Sequence, residues 1–449
     1  MLAVVLLLGA AVSHAGPAAG PLRVSSENPR YFTGGNGRAV LLTGSHVWSN
    51  LVDMGPSDPP PVFDFEAYLR RLCELDHNFI RLWTWELVTW KWKQGDGYAA
   101  PHPWARTGPG TALDGKLKFD LESYDPEYFR RLRDRVVKAG DKGVYVSIML
   151  FEGWGLQFCE NAWENHPFHP GNNVNDVGQF LSIEGRGLDI HTMAYPAVTA
   201  RQEAYVHKVI DTVNDLDNVL YEISNENHPA STEWQCHMID VIHAYEATKL
   251  KQHPVGMTFQ FKGGSNRTLF ESPAEWISPN DEGGYRDNPP ANEGQKVVLA
   301  DTDHLWGIGG KRAWVWKSFT RGLNPIFMDP YDGVVLGTPH DPQWDPIRTS
   351  MGLVRRLAAE VNLVSMAPRN GLASTTFCLA DPSKEYVVYL PAGGLATVDL
   401  TGASGAFDVT WINAGDGRRQ EGKQCAGGGK SKFTSPFGAA DCVLHLTAR

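Results

Sequence analysis

The chain has no concentration of positive charge. Its 41 Lys and Arg residues are scattered, and the formal net charge is −10 at pH 7. Binding to DNA, RNA or an anionic membrane surface depends on clustered basic side chains. The sequence therefore predicts no nucleic-acid partner and no membrane partner.

Cofactor motifs are missing as well. The 6 Cys residues lack the paired short spacing of a zinc site, and the Gly-rich segment Ala426–Gly429 lacks phosphate-binding spacing. The chain has neither a first-strand His-x-His nor a helical His-Glu-x-x-His motif. We therefore predict a protein that uses no metal and no organic cofactor.

Long apolar runs are almost absent. The exception is Leu2–Val12, followed by Ser13-His14-Ala15, which resembles the hydrophobic part and cleavage site of a secretory signal peptide. The usual Lys or Arg before such a run is missing. The run is too short to span a bilayer comfortably, and no other segment is a transmembrane candidate. We predict a signal peptide at residues 1–20 and a secreted or periplasmic protein.

An even number of Cys residues in an exported chain permits disulfides without fixing the pairing. Cys425 and Cys442 flank a Gly-rich loop and are the one pair that we predict to be bridged. Cys73 lies in an apolar helical pattern, which favours a buried free thiol.

A regular alternation of short apolar runs and amphipathic stretches extends from about residue 38 to 362. This pattern is typical of βα units around a parallel sheet. The predicted strands are Ala39–Thr43, Phe79–Trp83, Val144–Leu150, Val219–Ile223, Val255–Phe259, Trp276–Ser278, Val297–Ala300 and Pro325–Met328. These eight strands predict an α/β fold, a (β/α)₈ TIM barrel at residues 21–362.

Other segments complete the predicted organisation. Helices with apolar 3,4 spacing are predicted at 126–139, 200–214 and 233–249. The segment 91–121 is predicted to be a long loop on the catalytic rim. After Asn362, short alternating strands such as Glu385–Leu390 and Phe407–Ile412 predict a C-terminal β-sandwich domain at residues 363–449.

The most informative motif is Asn225-Glu226, which follows the apolar fourth strand. Chemistry in a (β/α)₈ barrel takes place at the C-terminal ends of the strands, so Glu226 is the first catalytic candidate. It could instead cap the next helix, but an Asn-Glu pair at an apolar strand end favours catalysis.

A second carboxylate is available after the seventh strand. Cleavage of a glycosidic bond needs one carboxylic acid to protonate the leaving oxygen and another carboxylate to attack or to activate water. Asp301 and Asp303 are two residues apart and would point the same way on an extended strand. Either could be the second catalytic group, and either could cap the following helix.

These residues resemble a known family. Tyr221-Glu222-Ile223-Ser224-Asn225-Glu226 is similar to the fourth-strand motif of the clan A retaining glycoside hydrolases, the cellulase-like (β/α)₈ barrels. Asn78-Phe79-Ile80-Arg81-Leu82-Trp83 is similar to their second-strand segment. The C-terminal segment resembles the small β-domain with a collagen-binding label found behind barrels of the apiosidase-like group.

The resemblance implies roles for individual residues. Glu226 would be the acid/base, Asn225 would hydrogen-bond the sugar 2-hydroxyl, and Arg81 would support the catalytic carboxylate. The clan's nucleophile is a Glu, whereas this chain offers only Asp301 or Asp303. Because Asp is one methylene shorter, the choice between a retaining and an inverting outcome stays open.

Further rim residues are candidates for binding the sugar, and each has a structural alternative. The 15 Trp residues supply flat rings on which sugars stack, although core packing is the commoner use of a Trp. Arg81 could form an ordinary ion pair, and a rim His could be a structural donor. Besides Asn225 and Arg81, the predicted binding residues are His46, Trp83, Trp85, Glu86, Glu152, Trp154, His228, His304, Trp306, Asp329 and Tyr331.

The predicted function is that of a secreted glycoside hydrolase acting on a poly- or oligosaccharide, such as a plant cell-wall glucan. Two other classes remain. A metal-dependent hydrolase could use Asp301, Asp303 and His304 near the segment His166–His169. Alternatively, the barrel could be a scaffold for a non-catalytic carbohydrate- or matrix-binding protein.

Overall fold

The computed structural model describes residues 17–91, 96–179, 185–331 and 341–449. The predicted signal peptide falls mostly outside this set. No helix within the described ranges is long and apolar enough to cross a membrane.

Eight parallel strands form a nearly closed barrel sheet: from the second to the eighth, each strand pairs with the next one in sequence, and the eighth pairs with the first. Their bounds are β1 Gly44–His46, β2 Phe79–Leu82, β3 Tyr145–Glu152, β4 Val219–Asn225, β5 Val255–Thr258, β6 Trp276–Ser278, β7 Val297–Asp301 and β8 Asn324–Met328. Every residue of these strands is buried, as expected for a parallel sheet covered on its outer face by helices. The predicted TIM barrel is confirmed.

The first predicted strand is wrong in position. Ala39–Val40 pairs instead with Phe32–Thr33 in a small antiparallel sheet, and the barrel strand begins at Gly44. Side-chain amides hold the segment between Val40 and Gly44. Asn324 accepts a hydrogen bond from the N–H of Leu42, and Asn78 accepts one from the N–H of Thr43, both at 3.0 Å. Asn78 also donates to the carbonyl of Leu41 at 2.9 Å and so joins the β1 and β2 segments.

Helices cover the barrel in the predicted order. Asp64 and Asp125 begin α1 and α2 by accepting N–H groups of the first turn, and Pro126 stands where its missing N–H costs nothing. The helix bounds are α1 Phe65–Glu74, α2 Pro126–Asp141, α3 Pro196–Val213, α4 Thr232–Glu246, α5 Asn266–Glu271, α6 Arg312–Thr320 and α7 Asp345–Glu360, with short helices at Trp154–Phe158 and Asp303–Trp306.

Outside residues 92–95, which the structure does not describe, the segment 91–121 is not the irregular loop that the sequence predicts. Trp104–Thr111 and Leu117–Tyr124 form an antiparallel hairpin, and Asp96–Ala100 pairs with Thr89–Lys91 and Asp53–Gly55. The hairpin buries alternate side chains, including Phe119 and Leu121. Of the Gly and Pro residues that indicated a loop, Gly115 lies in the hairpin turn, whereas Gly108, Pro109 and Gly110 lie within the first strand of the hairpin.

The C-terminal region is built of antiparallel sheets of seven and two strands, which confirms the predicted sandwich. Side chains of the larger sheet alternate in direction: Val387 and Tyr389 join the barrel core, whereas Tyr386 and Val388 face the smaller sheet. The strand bounds are Ala367–Pro368, Cys378–Asp381, Glu385–Leu390, Leu395–Asp399, Ala406–Asn413, Arg419–Glu421, Cys425–Ala426, Lys430–Thr434 and Cys442–Ala448.

The predicted disulfide is wrong, and all six thiols are free. Cys425 pairs with Phe407, whereas Cys442 pairs with Asn413 at the other end of the same strand. Because a strand rises about 3.4 Å per residue, the two ends lie roughly 20 Å apart, far beyond the reach of a disulfide. Cys73 is a free thiol as predicted, although it is only half-buried.

We expect a chain that ends at Asn362 to lose its cooperative fold. Trp316 of α6 stacks on Tyr389 and donates its Nε1–H to the carbonyl of Ala414, so truncation exposes a fully buried indole. We expect the free energy of unfolding to fall by about 3–5 kcal/mol, which is comparable to the effect of deleting a core aromatic side chain. Denaturant unfolding followed by near-UV circular dichroism measures it. A truncated chain with the full-length midpoint would contradict the expectation.

Candidate active site

Arg81 is at the centre of the C-terminal rim and is fully buried. Its guanidinium donates twice to Glu222, at 2.9 and 2.5 Å, and its Nη1 donates to both Asp301 and Asp303 at 3.0 Å. Its Nη2 also donates to Asn225 Oδ1 at 2.6 Å. Burial opposes the charge, but these carboxylates outweigh it and raise the pKa of Arg81. One cation therefore organises the ends of β2, β4 and β7.

The sequence did not identify Glu222 as a partner of Arg81. It lies on β4 between the buried apolar residues Tyr221 and Ile223 and is itself fully buried. A carboxylate in such an apolar strand must have a partner. That signal was present in the sequence, but the identity of the partner depends on the pairing of distant strands.

Asp301 ends β7 and is held on several sides. His46 Nε2 lies 2.9 Å from its Oδ2, Arg81 donates to the same oxygen, and the N–H of Asp303 donates to Oδ1 at 2.9 Å. Burial opposes its charge, yet His46 and Arg81 hold its pKa below the ordinary value. Its side chain has no exposed surface.

Asp303 begins the short helix Asp303–Trp306 and has a different environment. Arg81 is the one described residue that donates a hydrogen bond to its carboxylate, and 7% of its side chain is exposed. Burial raises its pKa to about 6; Arg81 opposes this shift and the neighbouring Asp301 adds to it. Of the two predicted Asp residues, Asp303 is the one with an accessible carboxylate.

Glu226 directly follows β4 and takes a left-handed backbone conformation, with φ of 40°. Its backbone carbonyl accepts a 2.7 Å hydrogen bond from Gln157, but none of the described residues hydrogen-bonds its side chain. Burial, together with the charge of Asp303, raises the pKa of Glu226 well above its usual value. The raised pKa favours the protonated carboxyl, which is the form that a general acid needs.

Asn225 and His304 lie beside the carboxyl groups. Asn225 Oδ1 accepts from Arg81 and lies 3.3 Å from His304 Nε2, so the amide nitrogen is left without a partner among the described residues. His304 Nδ1 lies 2.8 Å from Ser278 Oγ. Burial lowers the pKa of His304 to about 3, so the ring is neutral.

Three predicted binding residues have hydrogen-bond or ion-pair partners within the protein. Glu152 Oε1 and Oε2 accept the N–H groups of Trp154 and Gly155, and burial raises its pKa to about 8. His228 Nε2 contacts the carbonyl of Leu188 at 2.8 Å. Asp329 pairs through both oxygens with Arg348 of α7, at 2.9 and 2.5 Å. Glu86 likewise lies in a buried cluster of its own.

The predicted aromatic platforms divide by exposure. Trp83 and Trp85 are each 1% exposed and pack with Trp48, so neither offers a face to a sugar. Trp83 also donates to His46 Nδ1 at 2.8 Å, which leaves His46 Nε2 to contact Asp301. Among the predicted sugar-binding aromatic residues, Trp154, Trp306 and Tyr331 are half-buried.

Comparisons with known proteins agree with this architecture. The family described as "Domain of unknown function (DUF6298)" matches residues 93–261, a range that includes Glu226. No curated protein matches the chain. A glycoside hydrolase family 5 structure from Bacteroides vulgatus has a TM-score of 0.63 at 14% identity and covers 96% of this chain and 94% of that one.

Two further structures are similar. A protein described as a glycoside hydrolase has a TM-score of 0.59 at 14% identity, with coverage of 96% of this chain and 97% of that one. A maltogenic α-amylase from Thermotoga neapolitana has a TM-score of 0.51 at 10% identity, with coverage of 91% and 99%. The chain shares its fold with glycoside hydrolases. At such identities the likeness extends to the fold alone.

Proposed function

We propose that the protein is a retaining glycoside hydrolase that cleaves O-glycosidic bonds in a poly- or oligosaccharide. The observation that carries this proposal is the pair formed by Glu226 and Asp303 on the barrel rim. Burial raises the pKa of Glu226 well above its usual value, and Asp303 is a partly accessible carboxylate whose charge adds to this shift. Two carboxyl groups with separated pKa values are what glycoside cleavage requires.

Each group has one task in the proposed reaction. Glu226 protonates the departing glycosidic oxygen while Asp303 attacks the anomeric carbon, giving a covalent glycosyl–enzyme intermediate. Glu226, now ionised, takes a proton from water as the water displaces Asp303. Arg81, 3.0 Å from Asp303, orients the nucleophile and disperses its charge.

Asp303 is a better candidate than Asp301 for the nucleophile. Asp301 is surrounded by His46, Arg81 and a backbone N–H and has no exposed surface. A carboxylate saturated with donors is a weak nucleophile, because attack would break those hydrogen bonds. Asp301 instead holds Arg81 and the first turn of the helix that carries Asp303.

The sugar-binding contacts follow from the groups left unsatisfied. The free amide N–H₂ of Asn225 is available to a sugar hydroxyl, and the half-buried rings of Trp154, Trp306 and Tyr331 are stacking candidates. The proposal has three further parts. The protein is a member of the apiosidase-like group, and its C-terminal region binds polysaccharide or collagen. The protein is exported, as residues 1–20 suggest.

We expect the pH profile of kcat/KM to be bell-shaped. Asp303 must be ionised to attack, so activity rises as pH increases through about 6. Glu226 must be protonated, so activity falls again at a higher pH, where the raised pKa of this group is passed. The two limbs report the coupled pair rather than single residues. A profile whose acidic limb lies near pH 4 would contradict the assignment of Asp303.

The experiment that tests the function is product release from a broad panel of polysaccharides and aryl glycosides. The Glu226→Gln and Asp303→Asn variants are assayed alongside, and NMR of the first product gives its anomeric configuration. Activity that disappears in both variants supports the proposal. If the wild type released no product from any member of the panel but still bound polysaccharide, a non-catalytic binding protein would be favoured.

A metal-dependent hydrolase is less well supported. No group of three or more metal-ligating side chains occurs in the part of the chain described here. In addition, the Arg81 guanidinium bridges Asp301 and Asp303, and a second cation at that point would be repelled. Activity that is abolished by a chelator and restored by a divalent metal would overturn this conclusion.

A further inference from the structure

Glu86 lies just beyond β2 and is a buried carboxylate with three nitrogen neighbours. The N–H of Glu152 donates to Oε2 at 2.8 Å, and His166 Nε2 lies 3.2 Å from Oε1. His191 Nε2 lies 3.3 Å from Oε2, without forming an aligned hydrogen bond. Glu86 is only 5% exposed and therefore has little surface for substrate.

The hydrogen bonds of the two imidazoles fix the positions of their protons. His166 Nδ1 accepts the N–H of Phe168 at 3.0 Å, and His191 Nδ1 lies 2.9 Å from the donating Nδ2 of Asn227. Because each Nδ1 is an acceptor, each ring carries a hydrogen on Nε2, which faces Glu86. Burial opposes the charge of Glu86, but the two His residues lower its pKa to about 2.

The first connection from this cluster to Glu226 passes through Asn227, the next residue in the chain. Its side chain is fixed between His191 Nδ1 and Ser224 Oγ, at 2.9 and 3.0 Å. Gly153 makes room for it, since a Cβ at Gly153 would lie 2.4 Å from Asn227 Cγ. Asn227 is fully buried, so the peptide after Glu226 cannot shift freely.

The second connection passes through the short helix Trp154–Phe158. Glu86 holds the N–H of Glu152, whose carboxyl in turn accepts the first two N–H groups of that helix. Gln157, on the same helix, donates to the carbonyl of Glu226 at 2.7 Å. Both connections therefore reach the peptide that follows Glu226, one through its carbonyl oxygen and the other through the Asn227 side chain.

The backbone of Glu226 needs such support. A φ of 40° is unfavourable for a residue with a Cβ. Such a conformation persists only where surrounding contacts enforce it, and it occurs often at active sites.

We propose that Glu86 is a positioning residue that acts through His191, Asn227 and Gln157 to hold Glu226 in its strained, reactive conformation. This inference rests on the proposed role of Glu226. It gives Glu86 a function other than direct contact with the sugar.

The test is the Glu86→Gln variant. Gln has only one oxygen to accept from the N–H of Glu152 and the two His rings. Its N–H₂ group would face the remaining N–H groups and repel them, so His191 and Asn227 must rearrange. We expect kcat/KM to fall about 10- to 100-fold on a methylphenyl glycoside, whose leaving group needs protonation, as for a misplaced catalytic group. The loss on the dinitrophenyl glycoside of the same sugar should be much smaller.

Two more variants make the result specific. Gln157→Met removes the bond to Glu226 from a half-buried site and should show the same leaving-group dependence. Glu246→Gln is the matched control, because Glu246 is also a buried carboxylate paired with a His, His253, but it lies at the C-terminal end of α4. That control should affect both substrates equally.

The outcomes are distinguishable. If Glu226→Gln shows leaving-group dependence but Glu86→Gln and Gln157→Met do not, the positioning role is overturned and the proposed function stands. If no glycoside is cleaved, the crystal structure of Glu86→Gln decides. A displaced Asn227 and a relaxed φ at Glu226 support the positioning role, and an unchanged backbone overturns it.

Discussion

Replacement of Glu226 by Gln should lower kcat by about 10³-fold on glycosides with poor leaving groups, within the range of a lost general acid. Gln keeps the size of the side chain but cannot donate a proton to the leaving oxygen. Glycosides with leaving groups that need no protonation should keep their first step and lose the second, because no base remains to activate water. Steady-state and burst kinetics on the two substrate types measure both effects.

The same variant should be at least as stable as the wild type. The pKa of Glu226 is raised in the folded state, so above the unfolded value the unfolded chain binds fewer protons than the folded chain. That difference destabilises the fold progressively as pH rises above the unfolded value, and Gln removes it. Thermal unfolding at several pH values checks this.

A matched control is the exposed Glu233 at the start of α4. Glu233→Gln makes the same chemical change seven positions away and should leave kinetics and stability unchanged. Normal turnover of Glu226→Gln on poor leaving groups would end the assignment of Glu226 as the acid.

Replacement of Arg81 by Lys should be the most destabilising single change among the rim residues. Lys keeps the charge but cannot make the paired contacts with Glu222 while also reaching Asp301, Asp303 and Asn225. Breaking a buried ion pair leaves uncompensated buried charge, at a cost of about 3–5 kcal/mol. Denaturant unfolding measures the loss directly.

The matched control for this prediction is Arg133→Lys. Arg133 makes a bidentate pair with Asp215 at 2.7 Å, but both side chains are substantially exposed. Exposed pairs contribute about 0–1 kcal/mol, so stability should hardly change. If both variants lost the same free energy, the Arg81 network would have no special structural role.

Sequence patterns predicted most of the barrel because they are local. Seven of the eight predicted strands overlap the observed ones, since each is a short apolar run between turn residues. The first strand was misplaced because side chains of Asn78 and Asn324, remote in sequence, hold the segment before Gly44. The segment 91–121 was misjudged because its Gly and Pro residues indicate a loop equally well.

The candidate site was predicted in part for the same reason. Asn225, Glu226 and Arg81 were found because each lies at a strand end next to a recognisable motif. The roles of Glu222, His191, Asn227 and Gln157 were missed because they depend on partners in other elements, and His166 was considered only as a possible metal ligand. Trp83 and Trp85 were placed on the rim, but nothing local showed that their rings would be covered.

The sequence by itself determined the order of strands and helices, the (β/α)₈ fold and the acidic groups at the C-terminal rim, because apolar periodicity and turn residues act over a few neighbours. Only the tertiary structure decided the chemical state of those groups. It buried Asp301 between His46 and Arg81, left Asp303 partly accessible, and placed Glu226 where burial and the charge of Asp303 raise its pKa. The pKa of each group depends on burial and on charges that come from distant strands.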